Sequence, residues 1–254
     1  MTNLLEDFDF GNAYLVGSLF LMLSVIIFFR YLIVSGIYHI LFFKLFRKKY
    51  KTKFLRKKRL KNKQLLKEVY WSGLSGIIFA ATGIFIYYLY TKGYTSIYLE
   101  VSKFSVWYLP VSVFAFLFAQ DTYYYWLHRW MHLPSVYKYF HLIHHKSVHT
   151  SVLTSFSFHP LETIVQAAFL PIVMLFLPLH LYALLTVLLI MTISATINHA
   201  GVEIYPSGKI GKQFKKLIIG ATHHDFHHRK FNYNYGLYFT FWDRIMKTEI
   251  EVKS

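Results

Sequence analysis

The sequence lacks cysteine and contains few acidic residues. None of its 254 residues is Cys, which excludes disulfides, thiolate metal sites and thiol nucleophiles. Charged residues make up 16% of the chain, against about 25% in an average soluble domain. Only 12 residues are Asp or Glu, so a soluble metal protein built on Glu-rich helices is disfavoured. Any metal must be held mainly by nitrogen ligands.

Apolar residues account for 55% of the chain and aromatic residues for 20%, which favours a membrane protein. Four stretches are nearly free of charge, namely 13–43, 69–91, 104–120 and 163–202. A spanning helix needs about 20 apolar residues, so the last stretch can form a helical hairpin with its turn at 178–180. The sequence predicts an all-α, integral-membrane bundle of about four to five transmembrane or hairpin helices.

Positive charge is concentrated in one segment, because 13 of the 28 Lys and Arg residues lie within 44–67. A basic run after an apolar helix is typical of a cytoplasmic loop near anionic lipid. It is not accompanied by a base-reading module, so we expect no nucleic-acid partner. With the acidic N-terminus (Glu6, Asp7, Asp9) outside, alternating passes place 128–159 and 203–254 in a cytoplasmic cap. The same acidic start argues against a signal peptide.

Ten of the fourteen histidines fall within 128–149 and 223–228. They form HxxxH at 128–132 and HxxHH at both 141–145 and 224–228. Positions i, i+3 and i+4 of a helix share one face, so we expect each motif to present two or three imidazoles to one point. Burying eight such rings would be costly unless they bind metal, and the sequence predicts two first-row metal ions. The isolated His39 and His180 are expected to be core residues.

The identity of the metal is open, because imidazole suits iron, zinc, copper and nickel. A single zinc ion needs only three or four ligands. Zinc peptidases of the HExxH type carry Glu beside the first histidine, where this chain has Arg129. Two irons that activate oxygen use the available ligands more fully. A zinc-dependent membrane hydrolase built on the same histidines is the alternative.

The three motifs, with the residues between them, resemble the fatty acid hydroxylase and sterol desaturase superfamily. The similarity covers about residues 104–248 and includes the segment that begins HRWMHLPSVYKYFHLIHH, then NHAGVE and HHDFHHRKFNYNYGLYFTFWDRI. The last of these is most similar to C-5 sterol desaturases. The chain is accordingly divided into N-terminal transmembrane helices with their basic loop (1–103) and a hydroxylase-like catalytic domain (104–254).

The resemblance implies a diiron lipid hydroxylase or desaturase acting on a sterol, fatty acyl chain or ether lipid. It implies O2 as cosubstrate and electrons from NAD(P)H, delivered by a cytochrome b5-type protein, a ferredoxin or a reductase. The host membrane is a bacterial inner membrane or the endoplasmic reticulum. The implied metal ligands are His128, His132, His141, His144, His145, His199, His224, His227 and His228.

Four further residues are candidates near this centre. His159 and His223 are additional ligand candidates. Asp121, two helical turns before the first motif, and Asp225, inside the third, are expected to hold ligand imidazoles by hydrogen bonds. The apolar hairpin and the aromatic segment 104–126 are expected to line the path of the lipid.

Overall fold

The computed structural model describes residues 8–56 and 60–250. Glu6 and Asp7 of the acidic N-terminus, and 57–59 of the basic segment, lie outside the described residues. The helices and strands, in chain order, are α1 (Ala13–His39), its π-helical extension (Ile40–Leu45), α2 (Asn62–Thr91), β1 (Ile97–Tyr98), α3 (Tyr108–Met131), α4 (Pro134–Phe140), α5 (Leu142–His145), α6 (Pro160–Ala167), α7 (Phe169–Phe176), β2 (Leu179–His180), α8 (Leu181–His199), α9 (Gly208–Lys215), α10 (Ala221–Lys230) and α11 (Phe241–Ile245).

Three of the described helices are long and apolar enough to cross a membrane. They are α1 with its π-helical extension, α2, and α8. Side chains such as Leu21, Phe29 and Ile33 on α1 are more than half exposed, as expected for a surface that faces lipid. The predicted all-α membrane bundle is confirmed.

Two predicted spans differ from the helices that form. The stretch 104–120 becomes α3, which runs on to Met131 and carries Asp121 and His128 within it. The hairpin turns after α7 as predicted, but its first arm is broken into α6 and α7 and is shorter than a typical span. The number of membrane passes and the division at residue 103 stay predictions.

Small residues allow α1 and α2 to pack closely. A Cβ added at Gly76 would lie 3.7 Å from the side chain of Ile27, and one at Gly83 would lie 3.6 Å from that of Leu23. Small residues at such interfaces let helix backbones approach each other in a membrane. The two N-terminal helices therefore form one packed pair against which the rest of the bundle lies.

Polar residues collect at one end of the bundle. At this end the Tyr31 hydroxyl of α1 donates to the Leu153 carbonyl at 2.8 Å, and Arg56 of the basic segment donates to the Thr150 carbonyl. At the other end, β1 and β2 form a parallel pair with Ile97 opposite Leu179. The basic segment therefore lies at the same end as the C-terminal ends of α3 and α8, which carry histidines.

Candidate metal centre

Nine histidine side chains lie in two adjacent groups at this polar end. In each group, one ring nitrogen from every residue lies within 4.8 Å of the others. All nine rings are buried except that of His132, which is half-buried. Site A consists of His128, His132, His141, His145 and His227, and site B consists of His144, His199, His224 and His228.

Each HxxHH motif divides its imidazoles between the two sites. The i,i+4 pairs stay together, since His141 and His145 belong to site A and His224 and His228 to site B. The i+3 residue of each motif belongs to the other site. Successive residues on a helix are rotated by about 100°, so the i+3 and i+4 rings diverge. Each HxxHH motif therefore presents two imidazoles to one point, within the two or three expected, and directs its third to the neighbouring site.

Backbone carbonyls determine which nitrogen of several rings carries the proton. Nδ1 of His128 lies 2.8 Å from the Tyr235 carbonyl, Nδ1 of His227 lies 2.7 Å from that of Tyr233, and Nδ1 of His199 lies 2.8 Å from that of Ala195. A carbonyl oxygen only accepts hydrogen bonds, so each Nδ1 is the donor. In the neutral rings, Nε2 then carries a free lone pair.

These lone pairs face one another inside the protein. In site A, Nε2 of His128 lies 2.9 Å from Nε2 of His141. In site B, Nε2 of His199 lies 2.9 Å from Nε2 of His224 and 3.2 Å from Nε2 of His144. The Nδ1 atoms of His141 and His144 also face acceptors. Between His128 and His141, and between His199 and His144, no proton is left to join the facing nitrogens, so a bound cation is the arrangement that stabilises these pairs.

The spacing of the nitrogens fits metal ions. Two imidazole nitrogens bound to one ion at about 2.1 Å and at right angles lie about 3 Å apart. The observed separations of 2.9 and 3.2 Å agree with this value. Nine imidazoles are more than one ion requires, so the residues fit two ions, one in each site.

Burial keeps the imidazoles neutral. The pKa of six of these histidines lies well below the ordinary value. Desolvation is the largest cause, and repulsion from neighbouring imidazoles is the second. A neutral imidazole is the form that binds metal. These six residues are His141, His144, His145, His224, His227 and His228.

A buried carboxylate supports site A, and it belongs to Glu162. Its Oε1 lies 2.7 Å from Nδ1 of His141, and both side chains have no accessible surface. The Gln166 amide donates to the same oxygen at 2.9 Å. The sequence pattern pointed to Asp121 and Asp225 for this role instead.

Asp121 and Asp225 lie elsewhere than expected. Asp121 Oδ1 accepts hydrogen bonds of 2.7–3.1 Å from the backbone amides of 237–239, and Asp225 pairs with Arg229 at 2.7 Å. Among the described residues, neither hydrogen-bonds to a histidine ring. Asp121 holds a loop against α3, and Asp225 forms an i,i+4 pair on α10, so both differ from the predicted role.

Asp243 acts on site A through the backbone. Its two carboxylate oxygens each accept a hydrogen bond of 2.8 Å, from the amides of Tyr235 and Gly236. The Tyr235 carbonyl in turn accepts from His128. A Cβ at Gly236 would lie 2.6 Å from the Phe239 carbonyl oxygen, so this loop has no room for a side chain there.

Glu68 holds the segment that follows the second motif. Its buried carboxylate accepts hydrogen bonds from the hydroxyls of Ser147, Ser151 and Thr154, at 2.7, 2.6 and 3.0 Å. Its sequence context, a lone acid at the start of an apolar helix, gave no signal of these contacts.

The other histidine predictions have mixed outcomes. His159 caps α6, its Nδ1 accepting from the Leu161 amide at 3.3 Å, and His223 lies 3.8 Å from Asp243. The structure brings neither ring into site A or site B. His180 is a buried, hydrogen-bonded residue as expected, whereas His39 is exposed and stacks on Phe43.

A mostly apolar pocket opens beside site B. Its wall includes the rings of His199 and His224, and the cavity itself has a volume of about 70 Å³, room for part of a lipid beside the histidines rather than for a whole small molecule. It is lined by α3 and the hairpin, the elements expected to line a lipid path, and also by α2, α10 and the loops that precede α6 and α11. Its apolar wall includes Phe79, Phe156, Phe158, Phe169 and Met191.

Comparison with known proteins identifies the family. The profile described as Fatty acid hydroxylase matches residues 113–248, more than half of the sequence. The chain belongs to the fatty acid hydroxylase family.

Individual relatives are sterol enzymes. The chain is 33% identical to human lathosterol oxidase over 162 residues, covering 63% of this chain and 52% of that protein. It is 32% identical to the Delta(7)-sterol 5(6)-desaturase of Eremothecium gossypii over 231 residues, covering 90% and 61%. The chain spans about half the length of the curated relatives it matches. No solved structure matches it significantly.

Proposed function

We propose that the chain is a membrane-bound, non-haem diiron oxygenase that hydroxylates or desaturates a lipid. The main support for this proposal is the set of Nε2 atoms that face one another in the two sites. Backbone carbonyls and Glu162 hold the rings of His128, His141 and His199 in the tautomer that binds metal. Bound iron would supply the activation of dioxygen needed to break an unactivated C–H bond. Site A and site B would each hold one ion.

The chain's own residues orient the centre and shield it from water. Glu162 and the carbonyl of Tyr235 fix the rings of His141 and His128, which keeps their Nε2 atoms directed inward. The apolar pocket beside His199 would hold the reacting part of a lipid and exclude water from the reacting carbon.

A sterol is the favoured substrate class. The relatives carry the names of a lathosterol oxidase and of Delta(7)-sterol 5(6)-desaturases. The pocket wall combines aromatic rings with a few polar groups, which suits an apolar part of a lipid that carries limited polarity. Fatty acyl and ether lipids are the other substrates to test.

A basic concavity behind site B suggests where electrons enter. It is lined by Lys61, Lys63, Lys67 and Lys146, and also by Ser157, whose carbonyl faces Nδ1 of His144 at 3.3 Å. A surface of this charge suits an acidic carrier, such as a cytochrome b5-type protein, a ferredoxin or a reductase fed by NAD(P)H. The positive-inside rule favours the cytoplasmic face for this end.

The decisive experiment combines metal analysis with comparative lipidomics of cells with and without the protein, under oxygen. We expect about two irons per chain and a lipid that gains a hydroxyl group or a double bond. His144→Ala and His227→Ala should each abolish the product while the protein stays in the membrane. His159→Asn, which keeps a helix cap outside both sites, is the matched control. Stoichiometric zinc in a protein that hydrolyses lipid without consuming oxygen would favour the zinc hydrolase instead.

A further inference from the structure

One buried amide in the pocket wall has an unused acceptor. Asn198 immediately precedes the site B residue His199 and its side chain is 2% exposed. Its Nδ2 donates to the Leu237 carbonyl at 2.9 Å. Its Oδ1 has no hydrogen-bond partner among the described residues.

The orientation of this amide follows from its neighbour. The Leu237 carbonyl only accepts hydrogen bonds, so the Asn198 nitrogen must face it and Oδ1 must be the free atom. An unpaired buried acceptor is unfavourable, and a donor from a bound molecule would satisfy it.

A tyrosine on the same pocket wall has a free hydroxyl. Tyr124 lies one turn before His128 on α3, and its ring centroid is 5.0 Å from that of His128. None of the described residues hydrogen-bonds to its hydroxyl. Its neighbour Tyr123 also lines the pocket but donates to the Val165 carbonyl at 2.6 Å.

We propose that Asn198 and Tyr124 together bind a hydroxyl group of the lipid, an inference that rests on the proposed function. An alcohol donates one hydrogen bond, which Asn198 Oδ1 accepts, and accepts another, which the Tyr124 hydroxyl donates. A hydrocarbon end would leave both groups unpaired, and a carboxylate or ester carbonyl would bring no donor to Oδ1.

Asn198 and Tyr124 lie beside the two metal sites, and this position determines which carbon of the lipid would face the metal centre. Asn198 adjoins a residue of site B and Tyr124 packs on a residue of site A. An anchored hydroxyl would therefore hold the carbons a few bonds away against the metal centre. In a sterol, the carbon bearing the 3-hydroxyl is two bonds from carbon 5.

The test compares two probes, a Delta(7)-sterol and the same molecule without its 3-hydroxyl. Affinity is measured without oxygen on the purified iron-loaded protein, and turnover is then measured with oxygen and reductant. We expect the wild type to bind the hydroxylated probe about 30-fold more tightly, because the deoxy probe leaves buried polar groups unpaired.

Three variants assign the effect to the named residues. Tyr124→Phe removes one hydroxyl that no described residue engages, and should lower the affinity ratio about five- to tenfold with unchanged iron content. Asn198→Leu should lower the ratio similarly. Tyr123→Phe is the matched control and should keep the wild-type ratio, because its hydroxyl is used within the protein.

The outcomes separate this inference from the proposed function. Equal binding of the two probes by the wild type, or a ratio unchanged in Tyr124→Phe, would overturn the hydroxyl site while leaving the oxygenase intact. Oxidation of neither probe nor of any other lipid by the iron-loaded protein would overturn the proposed function, and the inference with it.

Discussion

The carboxylate of Glu162 accepts a hydrogen bond of 2.7 Å from Nδ1 of His141, and both side chains are completely buried. Glu162 lies in the first turn of α6, whereas His141 precedes α5. The pair therefore joins the hairpin to the second histidine motif. Because an acceptor at Nδ1 fixes the orientation of the ring and makes the imidazole a better ligand, Glu162 supports site A.

Replacing Glu162 should weaken metal binding without removing a ligand. Glu162→Gln keeps the size of the side chain but replaces the carboxyl group by an amide, and we expect iron affinity to fall about 10- to 100-fold. Chelator titration followed by metal analysis measures the change. Glu100→Gln, at an exposed position near the other end of the bundle, is the control, and equal iron retention in both variants would contradict the role of Glu162.

Replacing Glu68 should destabilise the fold. Glu68→Ala leaves three hydroxyl groups without their shared acceptor, and we expect a loss of about 3 kcal/mol in the free energy of unfolding. A lower thermal midpoint in detergent would show it. Glu249→Ala, which breaks a partly exposed pair with Arg244, should cost about 1 kcal/mol or less. Similar midpoints for the two variants would count against a structural role for Glu68.

A side chain at position 236 should disturb site A from a distance. Gly236→Ala places a Cβ 2.6 Å from both the Phe239 carbonyl and the Ile219 side chain, so the loop that carries the Tyr235 carbonyl must move. We expect about 2 kcal/mol of destabilisation and reduced iron content. Gly93→Ala is a suitable control, because it has the strain of a positive φ but open space around its Cβ. If iron content falls equally in both variants, displacement of this loop is not the cause.

The metal-free protein should lose stability on acidification. Burial lowers the folded-state pKa of rings such as those of His144 and His228, while the unfolded chain titrates at about pH 6.5. The unfolded state therefore binds more protons below that pH, so stability is retained above it and is lost progressively as the pH drops below it. Thermal midpoints of chelator-treated protein measure this, and His144→Ala should give a shallower slope. A flat profile would mean that these rings are not neutral in the folded state.

The sequence predicted what depends on local spacing. Apolar stretches at 13–43 and 69–91 became α1 and α2 because length and hydropathy suffice to define such helices. The histidines of the three motifs, with His199, lie together in the structure. They could be named in advance because helical spacing and the family resemblance both pointed to them.

The sequence could not predict contacts between distant segments. Spacing on a helix placed Asp121 on the same face as His128, but its partners are amides more than a hundred residues away. Glu162 meets His141 only because the chain turns back between α5 and α6. The hydroxyl groups around Glu68 likewise depend on how α2 packs against a loop.

The sharing of each HxxHH turn between site A and site B affects how the centre assembles. When an ion orders His141 and His145, the same turn of backbone fixes His144 for the neighbouring ion, and α10 acts in the same way through His227. Occupation of one site thus lowers the entropy lost on filling the other. The two ions should load cooperatively as a pair, and protein carrying a single ion should be scarce at every stage of reconstitution.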